Sequence, residues 1–324
     1  MSWKHIKKLI YKFEVHEIMS LFMLGMIISL YGFGMKNESY KDTLRYFSST
    51  IGPISKTIIG LIIVIIIIIL LIPNNRFSEQ AKLLCRNMGS FLIMLLSFGA
   101  IIHFITIQGF PLRDIFLQKV DKFIFFGKQP AEWLEPINSK GLTLFFSGAY
   151  LSWFIFTYGT IFLSWFYGKK ALLEYTTTAM LTFYIGYFFY IIVPGVGPLF
   201  TYSYSTSLGG LTSMMTDNKL FNPAPDVFPS LHTGIAVVML VVVWRYCKIW
   251  TWLYFPVASS IIISTLYLRI HYGIDVYAGI GLSIFTCWCT PTILEYWEKE
   301  RQKVSTSTVH VKEGIRSKRR ADMI

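Results

Sequence analysis

Long apolar runs, separated by short polar or basic stretches, dominate the chain. Residues 58–72 read IIGLIIVIIIIILLI, a run without a polar side chain. Because a membrane-spanning helix needs about 20 mainly apolar residues, the pattern predicts about eight transmembrane helices. These predicted spans are 17–35, 52–73, 88–108, 142–166, 175–193, 231–247, 250–270 and 272–294. The last two are separated by so few residues that we expect a tight helical hairpin.

Composition supports a membrane protein. Apolar residues make up 54% of the chain and charged residues 15%, whereas soluble domains carry roughly 25% charged residues. The net charge of +12 does not indicate a nucleic-acid partner, because the basic residues lie between and beyond the apolar runs. This distribution is typical of contacts with lipid headgroups and of topology control. The excess of Lys and Arg on one side predicts that both termini are cytoplasmic.

Neither the cysteines nor the long segments between the predicted spans indicate a metal or cofactor site. The four cysteines form no paired framework, and Cys287 and Cys289 lie on opposite sides of a predicted helix, so we expect neither a metal site nor a cofactor. The predicted extracytoplasmic segments 109–141 and 194–230 are long. The first mixes aromatic and charged residues and resembles an amphipathic element lying at the membrane surface. The tail after Glu295 is basic, and we expect it to be partly disordered.

Three short motifs fall at the extracytoplasmic ends of predicted spans. They are PGVGP at 194–198, FPSLHTG at 228–234 and LRIHYGIDVYAG at 268–279. Ionisable groups at membrane depth are expensive and tend to be functional. The three motifs therefore predict one site at one depth on one side of the membrane.

The chemistry of that site is predicted from residue types. His271 and Asp275 are four residues apart, so on a helix they share a face, and the carboxylate could accept a hydrogen bond from the imidazole. An oriented, basic imidazole is a nucleophile toward phosphorus. Arg269 could hold phosphate oxygens with its guanidinium group.

His232 completes the predicted pair of imidazoles. Pro229 and Ser230 are typical of a helix start, with Ser230 as the N-cap. A helix N-terminus favours an anion, and His232 could act there as a general acid. Gly197, in the PGVGP turn, could bring its backbone N–H close to phosphate, so Ser230 and Gly197 join Arg269 as candidate phosphate-binding residues.

Other interpretations of these residues remain open. A single His at a helix end is usually a polar residue reaching the interface. His103 has no sequence partner and is expected to be structural, and His5, His16 and His310 are expected to be solvated. A lipid transporter or flippase would need ionisable residues deep within the spans, and few are found there. A catalytically inactive scaffold of the same fold is a further alternative.

The motifs resemble those of the type 2 phosphatidic acid phosphatase superfamily. Pro229, Ser230 and His232 match its P-S-x-H motif, and His271 and Asp275 match its His-x-x-x-Asp motif. The Lys-x6-Arg-Pro motif is missing before Pro194. Ser264 matches the family's Ser-Arg, but Thr265 replaces the Arg, and Arg269 stands where the phosphatases usually have a small residue. The stretch STLYLRIHYGIDVYAG, with Asp121, Phe126-Gly127, Pro130 and Trp133 upstream, is more similar to the inositol phosphorylceramide synthase branch.

The resemblance implies an organisation and an activity. A six-helix catalytic core would cover 88–295, after an N-terminal basic segment with two extra helices at 1–87 and before a basic cytoplasmic tail at 296–324. His271 would form a phosphohistidine, Asp275 would orient it, and His232 would act as the general acid. The substrate would be a lipid phosphate or phospholipid in a cell membrane, bacterial by composition. Headgroup transfer is slightly favoured over simple hydrolysis, and the lipid and the acceptor stay open.

Overall fold

The computed structural model describes residues 3–34, 53–70, 76–217 and 223–321. Within these ranges the regular structure is helical, and no strand is found. The protein is an all-α, polytopic membrane protein, as predicted. Its α-helices are α1 Trp3–Ile10, α2 Val15–Gly34, α3 Pro53–Leu70, α4 Arg76–Gln108, α5 Asp114–Ile124, α6 Pro130–Leu134, α7 Lys140–Phe166, α8 Lys169–Ile192, α9 Pro198–Thr201, α10 Gly210–Asp217, α11 Leu231–Tyr246, α12 Thr251–Tyr267 and α13 Gly273–Ala321.

Five helices of the described ranges are long and apolar enough to cross a bilayer: α2, α4, α7, α12 and α13. Shorter apolar helices within α3 and at α11 coincide with predicted spans 52–73 and 231–247, and α8 coincides with span 175–193. The total of eight spans therefore stays a prediction. Residues 35, 52 and 71–73 of the first two predicted spans lie outside the described residues.

Helix α8 is long enough to cross a bilayer but is not among the helices that are apolar enough to do so, and it lies inside the bundle. It packs against α4, α7, α11 and α13, and it buries a run of threonines at 176–178. Thr178 donates its hydroxyl to the Glu174 carbonyl at 2.7 Å, whereas the hydroxyls of Thr176 and Thr177 are buried without a hydrogen-bond partner. Thr182 pairs with Thr286 of α13, also at 2.7 Å. A helix that meets protein on most sides does not need the hydropathy of one that meets lipid.

Helix α11 is at the centre of the bundle. It packs against α7, α8, α12 and α13, and its buried side chains include Ile235, Val238, Met239 and Val242. The expected tight hairpin of the last two helices is wrong. Helices α12 and α13 both pack extensively on α11, and α12 packs further on α7 whereas α13 packs on α8. The five residues between α12 and α13 redirect the chain around α11.

A close backbone approach fixes α11 against α13. A Cβ atom added to Gly279 would lie only 2.4 Å from the Ser230 carbonyl oxygen, and one added to Gly234 would lie 3.4 Å from the Gly279 carbonyl oxygen. Small residues allow helix backbones to approach in this way. The start of α11, which carries His232, is thereby held beside the first turns of α13.

Helix α13 extends beyond its predicted end. The sequence predicts a span to residue 294 and a partly disordered tail, whereas the helix continues to Ala321. This extension contacts the N-terminal segment at the end of the bundle where α11 finishes. Trp297 donates to the Phe13 carbonyl at 3.1 Å, and Arg301 donates to the Glu14 carboxylate at 2.8 Å.

The N-terminal helices pack on the rest of the bundle, with α2 against α4 and α8. The expected solvation of His16 is wrong: it is fully buried, and its Nδ1 lies 2.8 Å from the Ser90 hydroxyl. Helix α2 begins at Val15 and directs His16 towards α4. His103 lies 2.6 Å from the Tyr31 hydroxyl, which agrees with a structural role. The side chains of His5 and His310 lie outside the description.

Candidate active site

The three sequence motifs meet at the end of the bundle where α11 and α13 begin, here called the site end. The Val227 amide donates to the Gly195 carbonyl at 3.1 Å, and the Ser230 amide donates to the Asp275 carbonyl at 3.0 Å. The turn after α8, the segment before α11 and the first turn of α13 are thus directly hydrogen-bonded. Chain segments that are far apart in sequence surround one small volume.

Two imidazoles face this volume from separate parts of the chain. The ring centroids of His232 and His271 are 6.1 Å apart. His232 belongs to the first turn of α11, and His271 lies in the connection between α12 and α13. Two imidazoles that are 39 positions apart in the sequence are thus neighbours in the fold.

His232 is positioned by a helix cap and by aromatic rings. Ser230 is the N-cap of α11, as predicted, and its hydroxyl accepts from the Thr233 amide at 3.3 Å. The His232 ring stacks on Tyr150 with centroids 4.4 Å apart and lies 4.6 Å from Trp153. Its Nε2 is buried without a hydrogen-bond partner. A buried polar atom without a partner is costly, so Nε2 is available to a ligand.

His271 is held in one tautomer by the backbone. Its Nδ1 lies 2.9 Å from the Val227 carbonyl oxygen, which can only accept, so Nδ1 carries the proton and Nε2 keeps its lone pair. The ring is 5% exposed, and burial lowers the pKa of His271 to about 4. The imidazole is therefore neutral at neutral pH and has the lone pair that a nucleophile needs.

Asp275 does not make the predicted hydrogen bond to His271. Its Oδ2 lies 3.6 Å from His271 Nδ1 and instead accepts from the Tyr272 amide at 2.8 Å. The prediction assumed that both residues lie on one helix, but α13 begins only at Gly273. The carboxylate is fully buried, and its Oδ1 has no partner.

Two neighbouring residues were not predicted from the sequence. Val227 supplies the carbonyl that orients His271, and Asp226 precedes it in the chain. Asp226 interacts electrostatically with His271, and burial raises the pKa of the Asp226 carboxyl to about 6. The signal for Asp226 was an acidic residue four positions before Ser230, with no other charged residue between positions 220 and 230. Nothing in the sequence could identify Val227, because it acts through its backbone carbonyl and every residue has one.

Arg269 is directed towards a loop of the site end. Its guanidinium donates to the Thr206 carbonyl at 2.7 Å, lies 3.6 Å from a Glu135 oxygen and lies over the Tyr204 ring at 3.8 Å. Two of its nitrogens, Nη1 and Nη2, thus bond to Thr206, and phosphate binding by Arg269 stays a prediction. The guanidinium therefore ties the 204–206 loop to the chain two residues before His271.

The amide of Gly197 is also occupied. It donates to the Asp114 carboxylate at 2.9 Å, and the Val196 amide donates to the same group at 3.1 Å. Gly197 has φ +91°, and an added Cβ would lie 2.2 Å from the Ile270 carbonyl oxygen. Glycine is therefore needed here for a strained turn and a close contact, and in this structure its N–H is not open to phosphate.

An open, polar cavity of about 690 Å³ lies at the site end. Glu135 and Thr206, which contact Arg269, belong to its lining, as do Lys128, Lys140 and Ser207. This space adjoins the Arg269 loop. Among the described residues, including those that line this cavity, no group of three or more His, Cys, Asp or Glu side chains is arranged to hold a metal ion.

The fold and the site define an integral membrane protein that presents a buried imidazole, His271, and a partly buried one, His232, at one end of a helical bundle. The model of the PAP2 superfamily matches residues 116–289, more than half of the chain. The chain belongs to the PAP2 superfamily, and the protein is accordingly a phosphatase-type enzyme. No curated protein and no solved structure gives a significant match. The match includes His232, His271 and Asp275 and begins inside α5.

Proposed function

We propose that this enzyme cleaves or transfers the phosphate ester of a membrane lipid through a phosphohistidine on His271. The observation that carries the proposal is the 6.1 Å separation of two imidazoles, one with a buried, unpaired Nε2 and one with its Nδ1 fixed by a carbonyl. One ring can attack phosphorus while the other serves the leaving oxygen.

In the first step, Nε2 of His271 attacks phosphorus, and a P–N bond forms as the ester P–O bond breaks. Protonated His232 gives its proton to the departing alkoxide. The Val227 carbonyl keeps Nδ1–H in place, and the nearby carboxylates of Asp226 and Asp275 offset the positive charge that develops on the ring. In the second step, a water or alcohol oxygen attacks phosphorus, loses its proton to His232, and the P–N bond breaks.

The second step decides between hydrolysis and headgroup transfer. Transfer is the favoured form, because Thr265, Arg269 and the stretch Asp121 to Trp133 follow the inositol phosphorylceramide synthase-like pattern. The polar cavity beside the Arg269 loop supports it, since a phosphodiester with a headgroup needs room beyond the phosphate. In that reaction His271 takes the phosphorylated headgroup, diacylglycerol leaves, and a second lipid alcohol accepts the headgroup.

The proposal includes a membrane arrangement. The helical core would cover 88–295, preceded by two additional helices within 1–87 and followed by the basic segment 296–324. Both termini would be cytoplasmic, the site end extracytoplasmic, and the membrane that of a bacterial cell. The basic residues near the end opposite the site, among them Arg245, Lys248 and Arg301, support this orientation.

The test uses purified protein and a panel of phosphatidic acid, phosphatidylglycerol and phosphatidylinositol, with and without an added lipid alcohol. We expect release of phosphate or of diacylglycerol by the wild type and an acid-labile, alkali-stable phosphoryl label on the protein. His271→Ala should abolish both label and turnover, and His232→Ala should lower turnover strongly. Transfer predicts that the added alcohol acquires the headgroup faster than water does. Full activity of His271→Ala would refute the nucleophile.

A further inference from the structure

Helix α5 has two faces of opposite character. Asp114, Leu117 and Asp121, spaced three and four residues apart, form one face and are 4%, 1% and 0% exposed. On the other side, Ile115 is 70%, Phe116 61% and Phe123 89% exposed, and Phe126 just beyond the helix is 92% exposed. Large apolar side chains exposed in a cluster mark a contact surface.

The charges of this segment are divided in the same way. Both acidic residues between positions 113 and 128, Asp114 and Asp121, are buried. All basic residues of the same stretch are exposed: Arg113, Lys119, Lys122 and Lys128. The exposed surface of α5 therefore carries large apolar and positively charged side chains and no acidic one. This combination complements a bilayer surface that contains anionic phospholipids.

The buried face of α5 holds the chain on the C-terminal side of the nucleophile. Asp121 Oδ2 accepts from the Gly273 amide at 2.7 Å, and Oδ1 accepts from the Ile274 amide at 2.8 Å. The first amides of a helix have no partner within the helix, and a carboxylate at that end stabilises the helix by accepting from them. The Phe125 ring packs directly against Gly273, so closely that an added Cβ would lie 2.2 Å from it.

Asp114 holds the neighbouring turns. Besides the amides of Val196 and Gly197, it accepts from the Tyr272 hydroxyl at 3.0 Å. Tyr272 directly follows His271. The two carboxylates, seven residues apart on α5, thus hold residues 272–274 and the PGVGP turn together. If α5 moved away, two buried carboxylates and several amides would lose their partners, which is costly.

We propose that α5 lies in the headgroup region of the adjacent leaflet, is held there by anionic phospholipid, and through Asp114 and Asp121 keeps His271 in its reactive position. The lipid surface is then a positioning element for catalysis as well as the source of substrate. Turnover depends on the surface even when the substrate is soluble. The activity readout rests on the proposed function, whereas the lipid contact of α5 does not.

The first experiment compares bilayers of phosphatidylcholine with bilayers that also contain phosphatidylglycerol, using the full-length protein and a water-soluble aryl phosphate. We expect a several-fold higher kcat with phosphatidylglycerol, reduced by salt. The double variant Phe116→Ser/Phe123→Ser should lose this increase. A matched control, Trp244→Ser/Phe166→Ser, removes side chains of 61% and 76% exposure at the opposite end of the bundle and should keep it.

Asp121 variants test the link to the site. Asp121→Ala should lower kcat more than Asp121→Asn, which keeps one acceptor oxygen, and KM for the soluble phosphate should change little. A purely structural role predicts loss of folded protein in proportion to loss of activity, so kcat is normalised to protein that remains monodisperse. Equal kcat in both bilayers, or unchanged kcat in both Asp121 variants, would overturn the inference.

Hydrogen exchange separates this inference from the proposed function, because it needs no turnover. We expect phosphatidylglycerol to slow amide exchange in residues 112–126 and, with them, in residues 271–275, and Phe116→Ser/Phe123→Ser to abolish both effects. Coupled protection without any phosphatase activity would refute the proposed function and keep the role of α5. Protection confined to 112–126, or missing from both segments, would refute the coupling.

Discussion

The buried carboxylates at the two ends of the bundle have partners of opposite kinds. At the end where α11 finishes, Glu174 is paired with Arg245 and bonded to the Tyr246 hydroxyl, and Glu14 is paired with Arg301. At the site end, Asp114, Asp121 and Asp275 are buried and form no ion pair with Lys or Arg within the described ranges. They accept from backbone amides and one tyrosine hydroxyl instead.

The ion pairs at one end contribute to the stability of the fold, whereas the unpaired polar atoms at the site end can bind a ligand. A buried ion pair satisfies both partners and leaves nothing for a ligand. At the site end, His232 Nε2 and Asp275 Oδ1 have no hydrogen-bond partners, so both atoms can still form hydrogen bonds to a ligand. Its carboxylates accept hydrogen bonds from backbone amides of the surrounding turns, and the His271 ring keeps the lone pair of its Nε2 because the proton is held on Nδ1. Substitutions at the two ends should therefore affect different measurements.

The largest contrast is expected between His232→Gln and Glu174→Gln. Loss of a general acid lowers the rate by about 10²–10⁴-fold, so His232→Gln should lose kcat and keep its thermal stability. Glu174→Gln leaves Arg245 without its counter-charge. We expect a loss of about 2 kcal/mol in stability, below the value of a fully buried pair because Arg245 is one-third exposed.

Both variants are measured by kcat at low temperature and by thermal unfolding in detergent. Glu174→Gln should keep near wild-type kcat wherever it is folded. The contrast would fail if His232→Gln destabilised the protein as much as Glu174→Gln does, or if Glu174→Gln lost turnover while still folded.

Features that depend on local pattern could be predicted from the sequence. Apolar length predicted the membrane helices, and Pro229-Ser230 predicted the cap of α11. The meeting of three motifs followed from a consistent assignment of helix ends to the two sides. The amphipathic character predicted for segment 109–141 is found in α5, whose two faces differ in burial, while its position at the membrane surface stays a prediction.

Features that depend on the path of the chain between helices could not be predicted. Four-residue spacing implies a shared face only on a helix, and His271 lies outside α13, so Asp275 misses it. Arg269 has φ +63°, a left-handed conformation that no spacing rule anticipates for an arginine. Asp114 reaches Gly197 across 83 positions of sequence, a contact that requires the whole fold.

The next contrast concerns helix packing beside the site. Gly279→Ala would place a Cβ 2.4 Å from the Ser230 carbonyl oxygen, whereas a Cβ on Gly281, in the same helix, meets nothing within 4 Å. Overpacking of this kind costs about 1–3 kcal/mol. Because relief requires α11 and α13 to separate, the distance between His232 and His271 should also change, and we expect kcat to fall by at least about tenfold, equivalent to 1.4 kcal/mol.

Gly281→Ala is the matched control and should keep both kcat and thermal stability. Turnover and melting temperature are measured for both variants under one set of conditions. Wild-type kcat in Gly279→Ala would show that the close approach of the two helices does not set the geometry of the imidazoles.

The smallest effect concerns Asp226. Burial raises the pKa of its carboxyl to about 6, so the group is neutral below that pH and ionised above it. The ionised form stabilises positive charge on His271 during attack, and kcat should rise as pH increases through about 6. Protonation of His271, whose pKa is lowered to about 4, should give a second, steeper loss at lower pH.

Asp226→Asn should remove the step near pH 6 and keep the loss near pH 4, because the amide does not titrate whereas His271 is unchanged. A phosphate monoester also titrates near pH 6, so the pH dependence of kcat is measured with a phosphodiester lipid, which has no ionisation in this range. A step that persists in Asp226→Asn with that substrate would assign the titration to another group and exclude Asp226 from the stabilisation of His271. Loss of both steps together would show instead that Asp226 controls the protonation of the nucleophile itself.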